Sequence, residues 1–295
     1  MMSSVGGVAT ALECWSEWVD LCGAGRNQEV SSVPGLYRVR RKDDESGLVY
    51  IGQTGRSLRG RLGQLSGVYK AEMPYRDPHT AGPALWALRH RDGCDFEASV
   101  IEISATVPQR KALEATAVSL YRTASGKSPA ANFGRMPSGY RMSTGNNARL
   151  TASGQRLRGG PDPHAPRVPG SAPVAGRLGT DPRSDRWMNW PWTSWVPLLQ
   201  ASTPPACVGI YRIGSKDDAK LTYIGQGRIA ARLRAHQAKA LKPDHRQGPH
   251  LSADPQVSWV PLPGTAMVHL LEHENDLIAA HVIATGQAPL AQFLG

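Results

Sequence analysis

Apolar and polar residues alternate over Tyr37-Arg38-Val39-Arg40 within the run Leu36 to Arg40, the period of a half-buried strand, and Leu48-Val49-Tyr50-Ile51 is a short β-branched and aromatic apolar run that also reads as a strand. Asp43-Asp44-Glu45-Ser46-Gly47 between them is turn chemistry. The two runs therefore predict a β-hairpin with Tyr37 and Tyr50 on neighbouring strands. Leu58, Leu62 and Leu65 follow at helical spacing, and Ser57 is placed to cap the first turn. Arg61 borders that apolar stripe, whereas Arg59 points away from it. The loop 69–82 carries His79, 84–88 predicts a short helix, and alternation over 96–103 predicts a third strand. On a helix over 109–123, Glu114, Val118 and Tyr121 share a face beside Leu113, Ala117 and Leu120. A carboxylate on the apolar side of a helix is costly unless something pairs with it. A bound cation or a nearby arginine would each serve. Upstream, Leu12, Trp15 and Val19 fall on one helical face and predict a short amphipathic helix that caps the sheet. The small polar residues before Ala11 read as disordered.

The same order of elements occurs a second time. Gly35-Leu36-Tyr37 and Tyr50-Ile51-Gly52 return, more than 170 residues on, as Gly209-Ile210-Tyr211 and Tyr223-Ile224-Gly225. Trp192-Thr193-Ser194-Trp195-Val196 matches Trp15 to Val19, and Arg232 takes the place of Arg61. His250 follows Arg232 by 18 residues, as His79 follows Arg61. The segment after His250 is shorter and lacks the helix around Trp86. A third strand is predicted over 256–262 and a helix over 268–282. On that helix Glu274 shares a face with Leu271, Ile278 and Val282, as Glu114 does in the first copy, while Glu272 and Asp276 fall on the polar side. Asn132 and Gln292 close the two copies, each 18 residues after its glutamate. Such self-similarity means a duplicated domain. The divisions are a first domain over 11–135, a linker over 136–186, and a second, shorter domain over 187–295. The linker carries eight arginines against three aspartates among Gly, Pro and Ser, and predicts a disordered basic tether.

Composition narrows the partners. A chain of 295 residues has room for two ordinary domains. Its net charge of +10 favours a polyanion through phosphate contacts and counterion release. Cys14, Cys22, Cys94 and Cys207 form no CxxC pair, so neither a zinc site nor a disulfide framework is indicated. No apolar run reaches the roughly 18 residues a spanning helix needs, and no signal peptide is visible. These features predict an intracellular, cytoplasmic protein that associates with nucleic acid and not with membrane.

Each copy assembles two tyrosines, an arginine, a histidine, a glutamate and an amide, without a thiol or a phosphate-cradling glycine loop. That set suits hydrolysis of a phosphodiester. A single carboxylate leaves a divalent cation most of its waters, as Mg²⁺ prefers. An arginine fork neutralises charge on the non-bridging oxygens, and a tyrosine or histidine can take the proton of the attacking water.

In this order the residues resemble the GIY-YIG nuclease family. Its pattern runs G-[IL]-Y, Y-[IV]-G, an arginine on the next helix, a histidine in some members, a glutamate on a later helix and a terminal asparagine. The first copy matches at Gly35-Leu36-Tyr37, Tyr50-Ile51-Gly52, Arg61, His79, Glu114 and Asn132. The second matches at Gly209-Ile210-Tyr211, Tyr223-Ile224-Gly225, Arg232 and Glu274, with His250 aligned to His79. It departs at Gln292, whose extra methylene puts the family's hydrogen bond in question. The resemblance covers most of the chain outside the linker and implies an α+β fold. Each domain would be a small sheet of three antiparallel strands flanked by helices. It also implies an endonuclease that cuts DNA, RNA remaining open, with Mg²⁺ or Mn²⁺ held by Glu114 and Glu274. By the same resemblance, Tyr37 would act as or position the general base, Tyr50 would support the water or phosphate, Arg61 would clamp the phosphate and Asn132 would brace the site. Two sites in one chain would let a monomer act as an internal pseudo-dimer, with the oligomeric state open. The other readings are one active and one inert docking repeat, or a nucleic-acid-binding protein without cleavage.

Overall fold

The central strand of each repeat is the one that opens on Gly-x-Tyr. In a computed structural model, which describes residues 12–165, 169–201, 204–215, 218, 220–252 and 254–294, the chain is mixed α+β with antiparallel sheets. The N-terminal stretch read as disordered lies outside the described residues. In the first repeat β1 (Val19–Asp20), β2 (Gly35–Arg41), β3 (Asp44–Thr54) and β4 (Phe96–Glu102) form one sheet in the order β1-β4-β2-β3. Tyr37 and Val39 project from β2 into the apolar core, together with Leu58, Leu62 and Leu65 of helix α1 (Leu58–Leu65). The Ser57 hydroxyl accepts from Gly60 N at 3.0 Å and so caps α1, as its sequence predicts.

The sheet has four strands where three were expected, and the reason is the tryptophan segment. Residues 14–18 are not helical. They run along β4, where Ser16 N donates to Val100 O at 2.8 Å and Ser16 Oγ accepts from Val100 N at 3.0 Å. Alternation on β2 sends Arg38 and Arg40 to the face opposite Tyr37. The Arg38 guanidinium carbon lies 4.7 Å from the Trp15 ring centre and 4.6 Å from that of Trp18. Arg40 lies 4.1 Å from Trp18. Covering a row of guanidinium groups with indole faces decides the conformation over the local helical spacing. The next helix, α2 (Gly82–Asp92), is longer than expected and has every residue from Gly82 to Leu88 buried. Helix α3 (Val107–Ser125) starts from a Thr106–Gln109 capping box and ends at Gly126, whose φ is +71°.

The chain divides into two compact units, and the division does not follow the repeats. One unit holds Cys14–Ala105 and Lys127–Gly170; the other holds Thr106–Gly126 and Ser171–Gly295. Helix α3, which bears Glu114, thus belongs with the second repeat. Nor do the described residues of 136–186 form an unstructured tether. In the first unit β5 (Tyr140–Arg141) pairs with β6 (Gly160–Pro161), and the short helix α4 (Ala148–Ala152) lies in the arm between them. Arginine fixes this arm by bonding and stacking: Arg158 Nη1 donates to Met73 O at 2.8 Å, and Arg156 lies 3.6 Å above the Tyr75 ring.

The second unit repeats the sheet as β7 (Val196–Pro197), β8 (Val208–Ser215), β9 (Leu221–Arg228) and β10 (Pro255–Pro261), in the order β7-β10-β8-β9. Its tryptophans act as those of the first repeat do: Arg212 lies 4.3 Å from Trp192 and 4.6 Å from Trp195. Burial, helped by Arg183, holds Arg212 down to about 9, against opposition from Asp185 and Asp181. Helix α5 (Ile229–Ala240) follows β9, and the shortened middle keeps a helix of five residues, α6 (Gly248–Ser252). Helix α7 (Met267–Thr285) packs against α3, with Asn275 Nδ2 donating to Ala115 O at 3.0 Å. The expected polar side of α7 is therefore buried. Glu272 and Asp276 surround Arg122 of α3, because each face of α7 has a neighbour to cover it.

Candidate functional site

In the first unit β2 and β3 place the two tyrosines side by side, with ring centres 6.0 Å apart. Tyr37 pairs in register with Gly52, and a Cβ at Gly52 would lie 2.5 Å from the Tyr37 hydroxyl and 2.5 Å from Tyr50 Cε1. Only glycine leaves room for both rings, which is the steric reason for a glycine two residues after Tyr50. The loop before α2 delivers His79, whose Nε2 is 2.7 Å from the Tyr37 hydroxyl. Ala81 N donates to His79 Nδ1 at 3.3 Å, so the imidazole proton sits on Nε2 and points at the tyrosine oxygen. Burial, and then the nearby Arg61, push His79 down to about 3, so the ring is neutral.

Arg61 donates to Pro78 O at 2.8 Å and to Gln64 Oε1 at 3.3 Å, which ties it to the loop that carries His79. Asn132 accepts from Ile51 N at 3.0 Å through Oδ1 and donates to Ile51 O at 2.9 Å through Nδ2. It clamps the one peptide segment that lies between Tyr50 and Gly52. Five of the six residues singled out in the first repeat thus lie in one unit. Glu114 is half-buried on α3 of the other.

The second site lies within a single unit. Tyr211 and Tyr223 stack at 6.2 Å, and a Cβ at Gly225 would lie 2.4 Å from the Tyr211 hydroxyl. Gln292 accepts from Ile224 N at 2.8 Å and donates to Ile224 O at 2.9 Å, the bonds Asn132 makes to Ile51. The extra methylene does not cost the hydrogen bonds: Gln292 makes both. Arg232 Nε donates to the Tyr211 hydroxyl at 3.2 Å and Nη2 reaches the Tyr223 hydroxyl at 3.5 Å.

The histidine of this site is not the one that the alignment of spacings indicated. His250 is exposed on α6, whereas His236 Nε2 lies 2.9 Å from the Tyr211 hydroxyl. His236 is 1% exposed, and burial with Lys239 and Arg232 nearby pushes it down to about 3. The signal was present in the sequence: Arg232 and His236 are four apart and share one face of α5. The first repeat supplies its imidazole from a loop and the second from a helix, so counting from the arginine fails.

Glu274 is recessed on α7. Burial pushes it up to about 7, with Arg232 opposing the shift. Burial likewise raises Tyr211 and Tyr223, and Glu274 adds to both. No group of three or more His, Cys, Asp or Glu able to hold a metal occurs among the described residues. In the second site the donor set is one carboxylate, Glu274, beside the Tyr211 and Tyr223 hydroxyls. That fits a hard cation that keeps most of its own water and does not fit zinc. The described residues contain no helix long and apolar enough to cross a membrane. Compared with protein-family models, curated proteins and solved structures, the chain matches none.

Proposed function

We propose that the protein is a divalent-cation-dependent endonuclease acting on DNA, with one site of the GIY-YIG type in each repeat. One observation carries this reading. A buried neutral imidazole on a tyrosine hydroxyl, a second tyrosine beside it and an amide clamp on the intervening backbone are built twice. In each repeat they are built by different local means: His79 from a loop and His236 from a helix, Asn132 with a short side chain and Gln292 with a long one. Core packing alone gives no reason for two different routes to end on the same polar geometry.

The chain's own groups divide the work. Tyr37 and Tyr211 are oriented by their imidazoles to hold and position the attacking water. Tyr50 and Tyr223 support that water or a phosphate oxygen. Arg61 and Arg232 meet the charge that builds on the non-bridging oxygens. Glu114 and Glu274 would hold Mg²⁺ or Mn²⁺, which when bound polarises the phosphate and stabilises the leaving oxygen.

Cleavage of supercoiled plasmid with Mg²⁺ tests the reading, comparing the intact protein with Glu114→Ala, Glu274→Ala and the double substitution. Linear product from the intact protein, nicked product from each single variant and none from the double are expected. An effect of Glu114→Ala alone makes the second repeat a docking module. Binding without cutting by the intact protein would leave only the binding function.

A further inference from the structure

We propose that the arm 140–161 is a binding surface for a nucleic-acid phosphate backbone, feeding the strand toward Tyr37 and His79. This rests on the nucleic-acid reading of the site, not on cleavage. From Arg135 to Gly160 the chain contains five arginines and no aspartate, glutamate or lysine. The arm is folded. Thr144 N donates to Leu157 O at 2.9 Å, Leu157 N donates to Thr144 Oγ1 at 2.8 Å, and Asp162 N donates to Gly139 O at 2.7 Å. Folding holds its positive charge in a fixed place, where a disordered tether would spread it.

Its base is anchored to the loop that delivers His79. Arg76 N donates to Thr144 O at 3.4 Å, and Tyr140 bonds His90 at 3.2 Å. Arg156 and Arg158 lie 3.6 and 4.4 Å from one ring, that of Tyr75. Two like charges on one tyrosine are matched by a single carboxylate, Glu72, at 3.3 Å from Arg158. Further out, Arg141 and Arg149 are exposed and have no acidic partner on the arm. Arginines along a folded arm that carries no acidic residue of its own from 135 to 160 are the arrangement a phosphate backbone completes. His79 lies three residues beyond Arg76, so the arm is anchored to the same loop that delivers the site's histidine.

The test is binding of a short DNA duplex without divalent cation, followed by fluorescence anisotropy over a range of salt. The full chain is compared with Arg141→Ala/Arg149→Ala, with the Lys/Lys version of that pair, and with a charge-matched control, Arg26→Ala/Lys242→Ala. The slope of log affinity against log salt is expected to fall by about 0.9 for each phosphate that the alanine pair no longer neutralises. It should be retained in the lysine pair and in the control. Equal falls in the alanine pair and the control would mean diffuse net charge and would overturn the proposal, as would an unchanged slope. Plasmid cleavage is read separately. An arm effect without cutting would overturn the nuclease reading and leave the arm standing.

Discussion

Arg122 Nη1 donates to Glu272 Oε1 across 2.9 Å, and neither side chain has exposed surface. Arg122 Nε also meets Asp276 at 2.9 Å, and Ser171 N and Val174 N donate to the two carboxylates at 2.8 and 3.0 Å. One guanidinium therefore joins α3 from the first repeat, α7 from the second and residues 171–174 of the segment that connects them. Arg122→Ala leaves two carboxylates buried without their counter-charge. We expect a loss of about 3–5 kcal/mol in urea unfolding, whereas replacing all three charged residues with apolar ones of similar volume should cost far less. An Arg122→Ala midpoint equal to that of the parent would sink the assignment.

Gly52→Ala and Gly225→Ala should each abolish cutting by the repeat concerned while the sheet survives. The new methyl group would lie 2.5 Å or less from a tyrosine hydroxyl, so the ring must move. Overpacking of this kind costs about 1–3 kcal/mol. In an ordinary strand position alanine would be neutral or better. A Gly52→Ala protein as stable and as active as its parent would show that the rings are not set by this contact.

The amide clamps are specific to length. Asn132→Ala leaves the N–H and C=O of Ile51 without their side-chain partner in a buried site, at a cost of about 1–3 kcal/mol. Gln292→Asn should cost about as much as Gln292→Ala, because it draws back by one methylene an amide that bonds Ile224 at 2.8 and 2.9 Å. Thermal melts of the three variants decide it; full rescue by asparagine would contradict the geometry.

Four histidines make stability fall with acid. His79 and His236 are held to about 3 and His273 and His281 to about 4, in each case chiefly by burial. Below the ordinary histidine value of 6.5 the unfolded chain binds protons that the folded chain does not. Stability must then drop as pH falls from 6.5 toward 4, by up to about 1.4 kcal/mol per pH unit for each ring. Glu274 works the other way: raised from 4.5 to about 7, it is protonated when folded, so its contribution is lost as pH rises through that window. Four rings against one carboxylate leave the histidines dominant. Urea midpoints at several pH values should show the decline, and His236→Gln should make it shallower. A midpoint flat between pH 6.5 and 4.5 would be inconsistent with buried neutral rings.

The sequence by itself determined the parts that depend on local pattern. Alternation and short apolar runs marked β2, β3, β4 and their counterparts, since both are properties of the strand itself. Leucine spacing and a serine cap marked α1. Repetition marked the tyrosines, arginines, glutamates and closing amides. Tertiary structure decided the parts where a neighbour outweighs local preference. Trp15 and Trp18 have helical spacing but lie along a strand, because Arg38 and Arg40 offer their indoles a better surface. Glu272 and Asp276 fall on the polar side of α7 but are buried, because Arg122 meets them from a helix 150 residues away in sequence. His236 and not His250 reaches Tyr211, because contact is set by the face of α5 and not by distance along the chain. Spacing reports what one segment prefers; burial and charge pairing depend on which segment comes to lie beside it.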